Sequence, residues 1–259
     1  MRTSIALEIN REINRPMRLR DKLMLDKYTR HARLAPALIV ALPLALATFA
    51  WFPDELTGQG FLWGLLVGGG ATALLAQVSR DRGKRKEPDL FERWDGMPTT
   101  RFLRHRDAPN KVTLRRYHNK LEAAISDISM PSASEERADP SRADQTYETC
   151  VSFLREHARN RDEEPCRLVF EENCNYGFRR NLWGMKPMGI SIASAGLIAV
   201  GIRAAFTLME GSVLHVTTLI PAGAILVLLV GWTVWFTPEW VKDAAEAYAE
   251  RLLATIEIL

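Results

Sequence analysis

Four long apolar runs, in a chain that is otherwise rich in charge, constrain this protein more than any other feature. Each run has 17 to 22 residues, and together they contain one charged residue, Arg203. A helix of this length covers about 25–33 Å, which matches a hydrocarbon core of about 30 Å. The runs are Pro36–Phe52, Phe61–Val78, Met188–Met209 and Leu219–Phe236. They exclude a soluble globular fold and predict an all-α integral membrane protein with four transmembrane helices in two hairpins.

The polar segments divide the chain further and predict its orientation. A basic amphipathic arm covers residues 1–35, an insert covers 79–187 between the hairpins 36–78 and 188–236, and a helix covers 237–259. The arm holds nine Lys/Arg and the insert 22, whereas the two short links inside the hairpins hold none. Because Lys and Arg accumulate on the cytoplasmic side, the arm, insert and C-terminal helix are predicted to be cytoplasmic. A bacterial inner (plasma) membrane, with both termini inside, fits this pattern.

The insert is predicted to be mostly helical. Apolar spacing indicates helices over Val112–Ile128 and Thr146–His157, and the Pro- and Ser-rich stretch Met130–Ser141 indicates a linker between them. Cys166–Trp183 fits either one helix or a strand followed by a helix. In the C-terminal segment, Thr237-Pro238-Glu239 is typical of a helix start. The residues after it form an apolar stripe expected to face a partner: Val241, Ala245, Tyr248, Leu252 and Leu259.

Motifs that carry enzyme chemistry are absent from the sequence. It has no phosphate-binding glycine loop, no G-x-S-x-G and no H-E-x-x-H. The three cysteines, Cys150, Cys166 and Cys174, are odd in number and are not paired at the spacing of zinc ligands. Buried free thiols are therefore favoured over a disulfide or metal site. We expect neither catalytic residues nor a cofactor.

Glycines and one arginine within the spans have two interpretations each. Gly60, Gly64 and Gly68 form a small-residue face for close helix packing. Gly68, Gly69 and Gly70 follow one another, and this run suits a hinge or a flexible pore lining. Arg203 lies near the outer end of its span, so its side chain either extends to the membrane surface or lines an aqueous path.

Basic side chains give the strongest functional signal. Arg11, Arg15, Arg18 and Lys22 have helical spacing in the arm, although Pro16 interrupts it. A second group lies at the inner end of the second span: Arg80, Arg82, Lys84 and Arg85. Topology and attraction to anionic lipid explain such groups, at about 1 kcal/mol per residue. The bias continues into the insert, however, at Arg101, Arg104, His105, Arg106, Lys111, Arg115 and Arg116. Because arginine favours bidentate phosphate contacts, a nucleotide or short oligonucleotide ligand is the second interpretation.

The basic arm from Arg11 to Lys22, the few spans and the large cytosolic part resemble the membrane effectors of bacterial antiphage operons. In outline the chain is similar to the membrane subunit of the Hailong system. The resemblance implies an oligomeric ion channel, electropositive N-terminal helices that face the signal, and a nucleotidyltransferase encoded nearby that makes the ligand. The run Phe170–Asn181 also looks motif-like, and no role can be attached to it from the sequence.

The leading hypothesis is an inner-membrane ion channel gated by a cytoplasmic anionic ligand. Four short spans do not easily enclose a water path, so a homo-oligomer is expected, with a tetramer favoured. The alternative is a non-conducting membrane scaffold that recruits a cytosolic partner through the insert. A transporter ranks third, because such proteins usually have more spans or broken polar helices at the midplane.

Overall fold

Every regular element that the structure describes is a helix. The computed structural model describes residues 27–53, 74–108, 110–159 and 164–259. In chain order the helices are α1 (Ala35–Trp51), α2 (74–85), α3 (Glu87–Arg93), α4 (Pro98–Arg101), α5 (Lys111–Ala124), α6 (Ala133–Ala138), α7 (Pro140–Arg159), α8 (Glu164–Gly184), α9 (Lys186–Met209), α10 (Val216–Val230) and α11 (Pro238–Ala254). A π-helical turn precedes α1 (Thr29–Leu34), another follows α10 (Gly231–Trp235), and a 3₁₀ turn follows α11 (Thr255–Ile258). The predicted all-α class is confirmed.

Three helices are long and apolar enough to cross a membrane. They are Thr29–Trp51, Lys186–Met209 and Val216–Trp235, and they correspond to the first, third and fourth predicted spans. Of the second predicted span, Phe61–Val78, only residues 74–78 are described, as the start of α2. The protein is therefore a helical, membrane-embedded protein. The four-span count stays a prediction.

The membrane helices pack through small residues. A Cβ added at Gly196 on α9 would lie 3.0 Å from the Pro43 carbonyl oxygen of α1, so the two backbones approach closely. A Cβ added at Gly189 would lie 2.3 Å from the Trp232 ring, which occupies that space. Near the other end of α9, Trp51 Nε1 donates a hydrogen bond to the Ala199 carbonyl oxygen at 3.0 Å. These contacts run along α9 in order, so α1 lies parallel to it and α10 antiparallel.

Helices α3 to α8 and α11 form one helical domain around a shared apolar core. Helix α7 begins at Pro140, earlier than the predicted Thr146, and α5 ends at Ala124, where the backbone of Ile125 becomes extended. The open alternative for Cys166–Trp183 is decided in favour of one continuous helix, α8. The insert is mostly helical, as predicted.

The predicted linker Met130–Ser141 is wrong, because it contains α6. Ser132 and Glu135 form a reciprocal capping box that starts this helix. Glu136 is buried, and its carboxylate accepts hydrogen bonds from the His105 main-chain N–H at 2.6 Å and the Tyr147 hydroxyl at 2.8 Å. The composition resembles a linker and most of its side chains are exposed, whereas the buried Glu136 anchors α6 to the domain.

The C-terminal helix begins where the sequence predicts. The Thr237 hydroxyl accepts a hydrogen bond from the Trp240 N–H at 3.2 Å, and Pro238 occupies the first turn. The partner of the apolar stripe is the domain core of the same chain, where Val241, Tyr248 and Leu252 are buried. Leu259 is half-buried against the same core.

Candidate functional site at the junction of the helical domain and the spans

The helical domain joins the membrane helices through an almost unbroken pair of helices. Helix α8 ends at Gly184 and α9 begins at Lys186, with only the buried Met185 between them. The Lys186 ammonium donates hydrogen bonds to the carbonyl oxygens of Thr233 (3.1 Å) and Phe236 (3.0 Å) at the end of the last span. Helix α8 is therefore connected through Met185 to α9 and, through Lys186, to the last span.

A buried ion pair lies at the end of α8. The Arg180 side chain is 8% exposed, and its Nη1 donates to Oε1 of Glu87, the first residue of α3. The Tyr176 hydroxyl donates to the same carboxylate oxygen at 3.1 Å. Burial raises the pKa of Tyr176, and the charge of Glu87 raises it further. Burial alone would lower the pKa of Arg180, but the charge and hydrogen bond of Glu87 together with the neighbouring Tyr176 outweigh burial and raise that pKa. Arg180 therefore stays protonated, and Glu87 stabilises its buried charge.

Asn181 connects this ion pair to the first span. Its Nδ2 donates to the Ala32 carbonyl oxygen at 2.7 Å, and its Oδ1 accepts from Arg180 Nε at 3.2 Å. The residue four positions after Ala32 is Pro36, which has no N–H and cannot supply the usual helical hydrogen bond. Because an unpaired buried carbonyl is costly, Asn181 supplies the donor that Pro36 lacks. The chain of contacts therefore runs from α3 through α8 to the start of α1.

Glycines allow the helices to meet this closely. A Cβ added at Gly184 would lie 2.7 Å from the Gly83 main-chain nitrogen of α2. A Cβ added at Gly177 would lie 2.9 Å from the Tyr28 hydroxyl oxygen. The first contact is with backbone, so Gly184 leaves no room for a side chain, whereas a side chain at Gly177 would require the Tyr28 side chain to shift. The sequence prediction placed close packing at Gly60, Gly64 and Gly68, which lie outside the described residues, as do Gly69 and Gly70.

Aromatic contacts add α11 to the junction. The Arg179 guanidinium lies 4.9 Å from the centroid of the Trp240 ring, and its Nη1 donates to the Trp240 carbonyl oxygen at 2.8 Å. Phe178 contacts Trp240 edge to face on one side and His31 on the other. The run Phe170–Asn181, which had no assignable role in the sequence, thus forms the α8 side of the junction. In the sequence, the feature that indicates this role is the presence of polar, aromatic and glycine residues on every face of the helix.

The predicted basic ligand site is described only in part. Arg11, Arg15, Arg18 and Lys22 lie outside the described residues. On α2, next to the junction, Arg80 is half-buried and the other three basic residues are exposed: Arg82, Lys84 and Arg85. Among the described residues, none of these four forms an ion pair. Their cationic charge is therefore available at the surface.

Four of the insert arginines that were predicted to extend the cationic surface face carboxylates. Arg104 is 5% exposed, and its Nε and Nη2 donate to the two carboxylate oxygens of Asp144, both at 2.7 Å. Arg106 pairs with Asp95, at 3.2 Å. Arg101 pairs with Glu246 and Arg116 with Glu257. The expectation is therefore corrected for these four arginines, because each one faces a carboxylate from another part of the fold. Lys111 and Arg115, which belonged to the same expectation, have no such partner in the described part of the chain.

Arg203 contacts a residue of its own helix, α9. Arg203 Nη1 donates to the Thr207 hydroxyl at 2.7 Å, one turn closer to the end of α9. This direction favours extension of the side chain towards the membrane surface.

None of the three buried cysteines forms a disulfide, and burial raises the pKa of Cys150 and of Cys174 to about 11. In the ranges that the structure describes, no group of three or more His, Cys, Asp or Glu side chains is placed to hold a metal ion.

No protein-family model, curated protein or solved structure matches this chain. Inference about function therefore depends on the junction itself. Its parts are the Glu87–Arg180 ion pair, the hydrogen bond from Asn181 to Ala32 and the glycine contacts of α8. Together they connect a folded helical domain to at least two membrane helices.

Proposed function

We propose that this protein is a membrane effector that forms a homo-oligomeric ion channel gated by a cytoplasmic anionic ligand. The observation that supports it is the path of α8, which starts in the domain core, passes the Arg180 junction and continues into the span α9. Cys166 and Val169 of α8 are buried in that core. A ligand that shifts the helical domain would therefore change the packing of the spans.

A four-span topology is part of this proposal. Trp51 contacts Ala199 and Phe206 towards the far end of α9, whereas Gly83 lies against Gly184, just before α9 begins. Trp51 and Gly83 therefore lie towards opposite ends of α9, which supports a crossing near the predicted Phe61–Val78. Both termini would then lie on one side, and the distribution of Lys and Arg favours the cytoplasm.

The charges near the junction support an anionic ligand. Arg82, Lys84 and Arg85 are exposed on α2 beside Gly83, and the arm from Arg11 to Lys22 precedes Tyr28, which touches Gly177. Both cationic groups therefore approach the same junction along the chain. A nucleotide or short oligonucleotide, made by a nucleotidyltransferase encoded nearby, suits this charge. Antiphage defence at the inner membrane is the biological role that the resemblance implies.

Ion flux tests the proposal. Full-length protein in liposomes should pass ions in a way that changes when short oligonucleotides or nucleotides are added on the cytoplasmic side. Glu87→Gln leaves the charge of Arg180 without its partner, so the response to ligand should weaken. Asp89→Asn is the matched control, because Asp89 is exposed and pairs only with Lys86 on the surface. Absence of flux under all conditions would reject the channel and favour the scaffold, which should instead co-purify with a cytosolic protein.

Salt dependence tests the basic arm as a sensor. A ligand that contacts several cations should bind less tightly as salt rises, because counterions are released on binding. Replacing Arg11, Arg15 and Arg18 together by Gln should lower oligonucleotide affinity and reduce the salt slope. If the triple variant binds oligonucleotide normally but associates less with anionic vesicles, the arm serves lipid attachment alone.

A further inference from the structure

A cleft on the helical domain has the features of a ligand site separate from the junction. It lies between α5 and the segment Met130–Ser132, has a volume of about 460 Å³, and is also lined by His105. This volume falls within the range of about 300–1,000 Å³ that is usual for small-molecule sites. The α5 wall is one face of the helix, with residues three and four apart: Lys111, Leu114, Arg115, His118, Asn119 and Glu122.

Two cations lie side by side at one end of this wall. Lys111 and Arg115 are four residues apart on α5, and like charges at this spacing destabilise a helix. Arg115 has no carboxylate partner within the described part of the chain. The Lys111 ammonium donates one hydrogen bond, to the His105 carbonyl oxygen, and has two further N–H donors. An anion between the two side chains would relieve their repulsion.

The rest of the cleft offers fixed polar groups and an apolar wall. His118 Nε2 contacts the Leu103 carbonyl oxygen and His105 Nε2 the Pro131 carbonyl oxygen, each at 2.9 Å. Because a carbonyl oxygen only accepts, both Nε2 atoms carry the proton. Burial lowers the pKa of His118, so its ring is neutral and Nδ1 is an acceptor. Leu114, Met130 and Pro131 supply apolar surface.

The position of the cleft favours a soluble ligand over a lipid headgroup. Helix α11 begins beside the last span, and its 17 residues extend about 25 Å. Helix α5 is fastened to its far end, where Arg116 pairs with Glu257 and the Lys120 ammonium donates to the Glu257 carbonyl oxygen at 2.9 Å. Trp240 lies against Arg179 and Tyr248 stacks on Tyr176, so α11 runs back along α8, away from the membrane.

We propose that this cleft binds a small soluble organic phosphate. The phosphate lies between Lys111 and Arg115, and the organic part lies against Leu114, Met130 and Pro131. Asn119 and Glu122 provide an amide and a carboxylate for hydrogen bonds to a ring or sugar. This inference rests on the proposed function in one respect, because it gives the anionic cytoplasmic ligand a place to bind other than the basic arm.

Calorimetric titration of the full-length protein in detergent at low salt tests the site. The probes are AMP, GMP, CMP, UMP and inorganic phosphate. At least one nucleoside monophosphate should bind more tightly than inorganic phosphate, because only the ester reaches the apolar wall. Arg115→Gln should weaken that binding at least tenfold, and Arg115→Lys should restore part of it. Arg142→Gln is the matched control: it removes the same charge from an exposed position on α7 and should change affinity less than twofold.

Two results would overturn the cleft proposal. One is that none of the four nucleoside monophosphates binds, and the other is that Arg115→Gln and Arg142→Gln weaken binding equally, which indicates diffuse charge attraction. The channel proposal fails differently. Binding that depends on Arg115 without any ion flux leaves the site in place and rejects the channel. Ligand-controlled flux that is indifferent to Arg115 keeps the channel and shows that the ligand that gates it binds elsewhere.

Discussion

Two buried arginines, Arg104 and Arg180, show how similar chemistry serves different parts of this molecule. Arg104 contacts three carboxylates, of Asp95, Asp107 and Asp144, and all of them belong to the helical domain. Arg180 pairs with one carboxylate, that of Glu87, and is bonded to Asn181, which reaches the first span. The first arginine stabilises the domain internally, whereas the second connects the domain to the membrane helices.

This difference indicates which contacts are placed to couple the helical domain to the membrane helices. Arg104 keeps two carboxylate partners if any single one is lost, so its surroundings tolerate small shifts. Arg180 has no second carboxylate among the described residues, and Gly184 packs directly against the backbone of Gly83. We therefore expect a movement of α8 to alter the contacts with Glu87, Ala32 and Gly83 together. Such a coupled set is suited to a cooperative change between two packings.

The largest expected loss of stability is in the helical domain. Arg104→Met leaves Asp144 without its bidentate partner, and breaking a buried ion pair costs about 3–5 kcal/mol. Because Asp144 is partly exposed, we expect a loss near the lower end, about 3 kcal/mol, in the free energy of unfolding measured in detergent. Arg106→Gln, which removes an exposed partner of Asp95, should cost less than about 1 kcal/mol. Equal losses in both variants would show that burial of Arg104 has no special role.

The next largest loss of stability should be confined to the junction between the helical domain and the spans. Glu87→Gln keeps the shape but removes the charge opposite Arg180, and a hydrogen bond to a charged group contributes about 1.5–3 kcal/mol. We expect a loss of about 2 kcal/mol, with faster hydrogen exchange in the last turns of α8 and at Thr29–Leu34. In Arg104→Met those segments should exchange as in the wild type under native conditions. Faster exchange in the domain core of Glu87→Gln, with the junction unchanged, would contradict the distinction between the two arginines.

A smaller effect is expected where the helices cross. Gly184→Ala places a Cβ 2.7 Å from the Gly83 main-chain nitrogen, and overpacking of this kind costs about 1–3 kcal/mol. Gly201→Ala is the matched control on α9, because a Cβ there meets nothing within 4 Å. Thermal unfolding in detergent should give a lower transition temperature for Gly184→Ala and an unchanged or higher one for Gly201→Ala. A neutral Gly184→Ala would mean that α2 and α8 separate without cost.

The smallest effect concerns pH and the domain alone. Burial lowers the pKa of His118, so the unfolded chain binds a proton before the folded one does. Stability is then fully present above the unfolded pKa of about 6.5 and falls as pH decreases towards the folded value. His118→Gln, which keeps a donor for the Leu103 carbonyl oxygen, should make the free energy of unfolding less dependent on pH between 7 and 5. Identical slopes for wild type and variant would show that His118 does not titrate differently on folding.

A second acid-sensitive group lies outside that pH window. Burial alone would raise the pKa of Glu136, but hydrogen bonds from the His105 N–H, the Tyr147 hydroxyl and the Arg106 N–H lower it below its usual value. Its contribution is also lost on acidification, starting in the ordinary carboxyl range and continuing below it. Most of that loss lies below pH 5, so the difference between wild type and His118→Gln from pH 7 to 5 reports mainly on His118.

The sequence by itself determined the features that depend on neighbouring residues. Three apolar runs became membrane-capable helices because hydrophobic length is local, and Thr237 began α11 because a capping hydroxyl acts within one turn. The capping box at Ser132 was equally local, although the composition around it suggested a linker. The sequence gives the number of basic residues, but it does not indicate which of them remain without a carboxylate partner.

Only the tertiary structure decided which charges are neutralised and where the domain meets the spans. Arg104 and Asp144 are 40 residues apart, Glu87 and Arg180 are 93 apart, and Ala32 and Asn181 are 149 apart. An arginine has the same local pattern whether it is exposed or paired, because its partner comes from another helix. Likewise Pro36 shows in the sequence that Ala32 loses a donor, but only the packing of α8 shows that Asn181 replaces it.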